Sequence, residues 1–172
     1  MVHELLQRQQ VAVLGFDVLF SEADTSSGLP VLRQLAQGPL RDQPGFAEEL
    51  ARLTPQLDFD ARFAAAVHKQ PVVLGFYFTS DREGHTRGVL PAPVMGADAM
   101  QGRAVRLLSW TGYGANVAAL AEAAPQAGFF NSVTDADGMV RSIPLLARFQ
   151  GQYYESLALA VFRRLSGLPE VR

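Results

Sequence analysis

Cysteine is absent from this chain of 172 residues. That removes disulfides, thiolate nucleophiles and thiolate metal sites. It suits an oxidising compartment, but many cytosolic proteins also lack cysteine, so the compartment stays open. Lysine is nearly absent: fourteen of the fifteen basic residues are arginine, and Lys69 is the exception. With abundant alanine this reads as the coding bias of a GC-rich genome and carries no function. A surplus of either charge is lacking too, the net charge being −2, so no electrostatic case exists for nucleic-acid binding. Long hydrophobic runs are missing. Val72 to Phe78 is among the longest, far from the ~20 residues that cross a bilayer. The start, MVHELLQRQQ, lacks the apolar stretch of a signal peptide.

What is present is a globular composition, 48% hydrophobic and 19% charged, on a chain long enough to bury a core. Continuous apolar runs predict buried strands at Val11–Phe16 and Val72–Phe78. Helices are expected over Leu29–Leu35, Phe46–Leu53, a segment capped by Asp58 or Asp60 and stopped before Pro71, and Val117–Ala124 ending at Pro125. Ser156 caps a final helix through Leu165, with Gly167 after it. Arg103–Ser109, Gly128–Val133 and Met139–Phe149 read as further strands, the last interrupted by Pro144. Strand alternating with helix predicts an α/β fold: a mixed, mainly parallel sheet flanked by helices, with an antiparallel hairpin near residues 129–149. Thr79–Gly88 is charged and turn-like, and Pro91 and Pro93 mark an irregular connection.

The stretch NSVTDADGMVRSIPL, Asn131 to Leu145, holds most of the conspicuous polar residues. Asp135, Asp137 and Gly138 invite a calcium reading, but Met139, Val140 and Ile143 stand where further oxygen ligands are needed. The favoured reading is a structural turn, with Asp capping backbone amides and Gly138 at positive φ. Arg141 either anchors an anion or pairs with one of those carboxylates. Asp17 follows a buried strand, where open α/β sheets bind ligands. A phosphoryl-transfer nucleophile there would need a second Asp at position 19, which is Leu. Ligand contact and plain capping or pairing stay equally open for Asp17, with Ser21 and Glu22 just beyond it. The three histidines are scattered, so no metal site is expected from them. No G-x-S-x-G occurs, and Gly112-Tyr113-Gly114 matches no phosphate loop. No catalytic residue and no cofactor are assigned.

The segments VLGFDVLFSEAD, DARFAAAVHKQPVVLGFYF, GFFNSVTDADGMVRSIPLL and ESLALAVF occur in this order. Their series resembles the second class of CHASE domains, the cyclase- and histidine-kinase-associated sensory extracellular domains of bacteria. The resemblance rests on Asp17, Phe20, Asp60, Ala64, Gly128, Asn131, Asp135, Asp137, Gly138, Arg141, Pro144 and Leu145, then on Ser156, Leu157 and Ala158. It implies a non-enzymatic extracytoplasmic input domain, on the periplasmic side of the inner membrane, whose parent carries a cyclase, histidine kinase or serine/threonine kinase output. The implied partners are a small molecule or periplasmic ligand, the membrane through helices beyond the C-terminus, and a second copy in a homodimer. Asp17, Ser21, Glu22, Asn131 and Arg141 are the ligand-binding candidates. The whole chain, 1–172, is then one partial sensor domain, with 25–57 as an insertion. Members begin with another strand and continue past the last helix, so both ends of the family domain are expected to be missing. The rival readings are a metal-dependent hydrolase using Asp17, Asp135 and Asp137, and a module that only dimerises.

Overall fold

The structure is a computed structural model and describes residues 2, 4–100, 107–134 and 137–171. Strand β2, Val72–Thr79, is its centre, with six of its eight residues buried. Pro71 stops the preceding helix, and the β-branched and aromatic run that follows suits an interior strand. Strands β1 (Leu14–Phe16) and β6 (Ala127–Phe129) pair parallel to β2, one on each side. Further along β2, strand β5 (Gly112–Gly114) pairs antiparallel and carries the short β3 (Thr86–Arg87) parallel on its outer side. Three of the four pairings in this sheet are parallel, so the fold is the expected mixed α/β one.

Two asparagines complete the ladder where strands stop. Asn116 follows the end of β5 and lies between it and the end of β1. Its Oδ1 accepts from Phe20 N at 3.0 Å, and its Nδ2 donates to Gly75 O at 2.9 Å. Asn131 does the same beyond β6, accepting from Phe78 N at 2.8 Å and donating to Phe78 O at 2.9 Å. Each amide replaces a peptide group that a longer strand would have supplied, as buried backbone groups require partners.

Helices α1 (Leu29–Gln37), α2 (Phe46–Leu57) and α3 (Phe59–Val67) fill the first connection, α2 running past its expected end and past Pro55. Asp58 caps α3 by accepting from Ala61 N at 3.0 Å. The other capping candidate, Asp60, instead accepts from Asp24 N at 2.8 Å and fastens the loop after β1. Residues 25–57, the expected insertion, therefore hold α1 and α2, and Arg33 on α1 pairs with Asp58 at 3.1 Å. The short helix α4 (Ala118–Ala123) packs beside α3. Together they cover Val72 and Leu74, with Phe16, Phe20 and Phe63 meeting edge-to-face beside them.

A second core lies at the other end of the same β2 face. Strand β4 (Leu108–Ser109) pairs with β9 (Leu146–Phe149), and β9 with β10 (Gln152–Glu155). β10 touches β6 through the Phe129–Ser156 bridge, and β4 runs on through Trp110 into β5. Following neighbours from β2 through β6, β10, β9 and β4 into β5 leads back to β2. This ring encloses Phe76, Phe78, Phe129, Phe149 and Tyr154. Its rings sit 5.1–6.5 Å apart in mostly edge-to-face or tilted pairs, the favoured aromatic geometry.

Three strand expectations need correction. Val11–Phe16 forms a strand only from Leu14, and Val11 is exposed. Gly128–Val133 splits into β6 and β7 (Val133–Thr134), because the Asn131 side chain takes over the pairing. Met139–Phe149 splits at Pro144 into β8 (Val140–Ser142), antiparallel to β7, and β9 in the other sheet. Of the expected strand Arg103–Ser109, residues 103–106 lie outside the described residues, and Leu108–Ser109 form β4. In Thr79–Gly88, Asp81 gathers the turn by accepting from Gly84 N, from His85 N at 3.2 Å and from Thr79 Oγ1 at 3.1 Å.

Helix α5 (Leu157–Leu165) covers the opposite face of the sheet. Ser156 caps it, its Oγ accepting from Leu159 N at 3.3 Å. The sheet presents Gly15 and Gly128 to this helix. A Cβ on Gly128 would lie 2.5 Å from the backbone of Leu157, and one on Gly15 would lie 3.0 Å from Val161 Cγ2. These glycines serve close approach of helix to sheet.

Candidate functional site

A cleft of about 350 Å³ opens where β1 and β6 end and α5 begins. Its floor is Gly15, Phe129 and Phe130. Leu157, Ala158 and Val161 form the helical wall, and Ile143, from the connection after β8, closes one side. The small Ala158 helps leave the space. The size suits a small ligand, and the place is the carboxyl end of parallel strands, the usual binding crevice of such sheets.

Asp17 is the charged residue of the lining. It is exposed and has neither a hydrogen bond nor an ion pair among the described residues. Ser156 also lines the cleft, but its hydroxyl is engaged as the helix cap. An apolar chamber with one free carboxylate at its rim can hold an apolar body that offers a cation or hydrogen-bond donor.

Of the five ligand-binding candidates, this cleft contains Asp17 alone. Ser21 lies on the half-buried segment that leads away from β1, and Glu22 accepts from Arg87 Nη1 at 2.8 Å. Asn131 has both amide atoms committed to the Phe78 backbone. Arg141 grips Asp137 with two hydrogen bonds, of 2.9 and 2.7 Å. That guanidinium, with the Met139 amide, holds the Asp137 carboxyl below its ordinary range. Gly138 has φ +84°. Asp135 lies outside the described residues. Among the described residues, no three His, Asp or Glu side chains gather as metal ligands.

Sequence reasoning missed a buried ion pair behind the cleft. Glu155, at the end of β10, accepts from Arg163 Nη1 at 2.7 Å, and Arg163 Nε donates to Pro169 O at 2.9 Å. The side chains are only 9% and 15% exposed. Glu155 Oε2 is buried with no partner. Burial pushes the Glu155 carboxyl above its ordinary range, against the pull of Arg163. The sequence signal was an acid beside the Ser156 cap with an arginine two turns later, which also fits a helix-dipole role.

No helix among the described residues is long and apolar enough to cross a membrane. No curated protein and no solved structure gives a significant match to the chain. A family model does match, that of the CHASE2 domain, a family of sensory extracellular domains, and it covers residues 1–170. With nearly the whole length matched and the α/β architecture in place, the chain belongs to the CHASE2 domain family.

Proposed function

We propose that this domain is the ligand-input module of a bacterial transmembrane receptor, held on the periplasmic side of the inner membrane. Its parent carries a cyclase, histidine kinase or serine/threonine kinase output. The observation that carries the reading is the apolar cleft with an unpartnered Asp17 at its rim, in a domain of a sensory family. The ligand is a small molecule with an apolar body and a cationic or donor group. It biases signalling only by binding one conformation better than another.

The test is a small-molecule panel followed by NMR of labelled methyl groups in the cleft. Cyclohexylamine, cyclohexanol and cyclohexanecarboxylate share one apolar body and differ in charge. The amine is expected to shift Ile143, Leu157 and Val161 signals, and Asp17→Asn to weaken it selectively. No response of these methyls to any of the three defeats the cleft as input site.

A specific observation favours a second role beside the first, self-association. Ala158, Phe162 and Leu165 are exposed on one face of α5, Phe162 and Leu165 at 62% each. Exposed apolar faces of this kind are typical of contact surfaces. A homodimer through this face predicts that Phe162→Glu lowers the sedimentation mass. A monomer at all concentrations contradicts it.

A further inference from the structure

Helix α5 belongs to two constructions at once. Its first half walls the cleft through Leu157, Ala158 and Val161. Its second half carries Arg163, which joins the strand before the helix to the segment after it, through Glu155 and Pro169 O. Leu168 N, at 2.7 Å from Arg163 O, adds a backbone tie to the same segment. Val161 and Arg163 are two residues apart on one rigid helix. A push on Val161 that rotation of its side chain does not absorb is carried to Arg163 by the helix backbone.

The anchor at Arg163 is incomplete. A buried carboxylate oxygen without a partner costs free energy, and an ion pair taken out of water is well compensated only when its remaining lone pairs are satisfied. Glu155 Oε2 is such an oxygen. An arrangement that admits water or another donor to it regains what the present one forgoes. The two arrangements are therefore closer in free energy than for a fully satisfied pair. This is the condition for a small displacement to select between discrete states.

We propose that α5 is the transmitting element of the domain: filling the cleft that Gly15 and Val161 line shifts the helix and rearranges the Glu155–Arg163–Pro169 link, altering the hold on residues 166–171. This names the regulation of the cleft and rests on the reading of that cleft as the input site. The device is reciprocal, since a coupling free energy acts equally in both directions.

The test uses Gly15→Ala in place of a ligand. Its methyl would meet Val161 Cγ2 at 3.0 Å and press on the helix from inside the cleft. The readouts are the Arg163 Nε–H resonance and hydrogen exchange at the Leu168 amide. The expected result is a displaced Arg163 signal and exchange at Leu168 faster by about fivefold or more, the lower end of ordinary inter-site coupling. Leu159 and Ala160 amides should stay protected, which separates a shift of the helix from its melting. Shifted Val161 methyls with unchanged Arg163 and Leu168 overturn the proposal. Should Gly15→Ala prevent folding, Val161→Ala withdraws the helix side chain that packs over Gly15 and must move the Arg163 signal or change Leu168 exchange; silence there overturns it equally. Neither variant needs a ligand, so coupling without a response to the small-molecule panel would remove the input-site reading alone.

Discussion

Replacing Asn116 with alanine removes both hydrogen bonds that bridge the gap between β1 and β5. The Gly75 carbonyl is fully buried and loses its partner at 2.9 Å, and the half-buried Phe20 amide loses its acceptor at 3.0 Å. An unsatisfied buried polar group costs about 1–3 kcal/mol. The carbonyl bears the full cost and the amide a smaller one, because water reaches it in part. The sum is roughly 2–4 kcal/mol. For a domain of this size that lowers the melting temperature by about 4–16 °C. Urea unfolding followed by circular dichroism measures the difference directly. Asn131→Ala makes the matching comparison, since that amide also serves two backbone atoms but sits in a less enclosed place. Its cost is expected to be smaller, about 1–2 kcal/mol. Asn116→Ala within ~0.5 kcal/mol of wild type, the range of ordinary surface substitutions, would refute the idea that side chains stand in for missing strand.

Gly128→Ala would drive a methyl into the Leu157 backbone at 2.5 Å. It should destabilise by about 1–3 kcal/mol or more as α5 is forced outward, read from thermal melts. Phe76→Ala empties the centre of the aromatic ring and should cost about 3–5 kcal/mol in the same assay. By carboxyl NMR, Glu155 should titrate above its ordinary 4.5. A raised folded value means this group's contribution to stability is whole below 4.5 and is lost as pH rises through the folded value. Asp137 should titrate below 3.8, and Arg141→Met should return it toward that value. Its contribution has the opposite sense: present above 3.8, lost as pH falls through the depressed value.

Local signals carried over well into structure. Asp58 and Ser156 act as caps, and Pro71 and Pro125 mark the ends of helices, because each works through its own few neighbours. The central strand was plain from its apolar run. The ring of strands around Phe76 and Phe78 was not, since it is made by pairings between β10, β6, β9 and β4 that no short window contains. Asn116 and Asn131 were hidden for the same reason: an amide that completes a ladder looks like any loop amide until the gap it fills is known. In the cleft, Asp17 was readable from its place after a strand. Val161 and Gly15 opposite it were not, because their meeting depends on how α5 crosses the sheet. Glu155 and Arg163 stand eight residues apart, and only the direction of the helix relative to β10 brings them together.

Strand β2 lends Val72 and Leu74 to one hydrophobic cluster and Phe76 and Phe78 to the other. Neither cluster can come apart while its neighbour stays whole, because both hang on one unbroken length of chain. The domain should therefore melt in a single step, with near-ultraviolet signals from Trp110 and far-ultraviolet signals from the helices falling together. Amides along β2 should be the last to exchange, opening only when the entire molecule does.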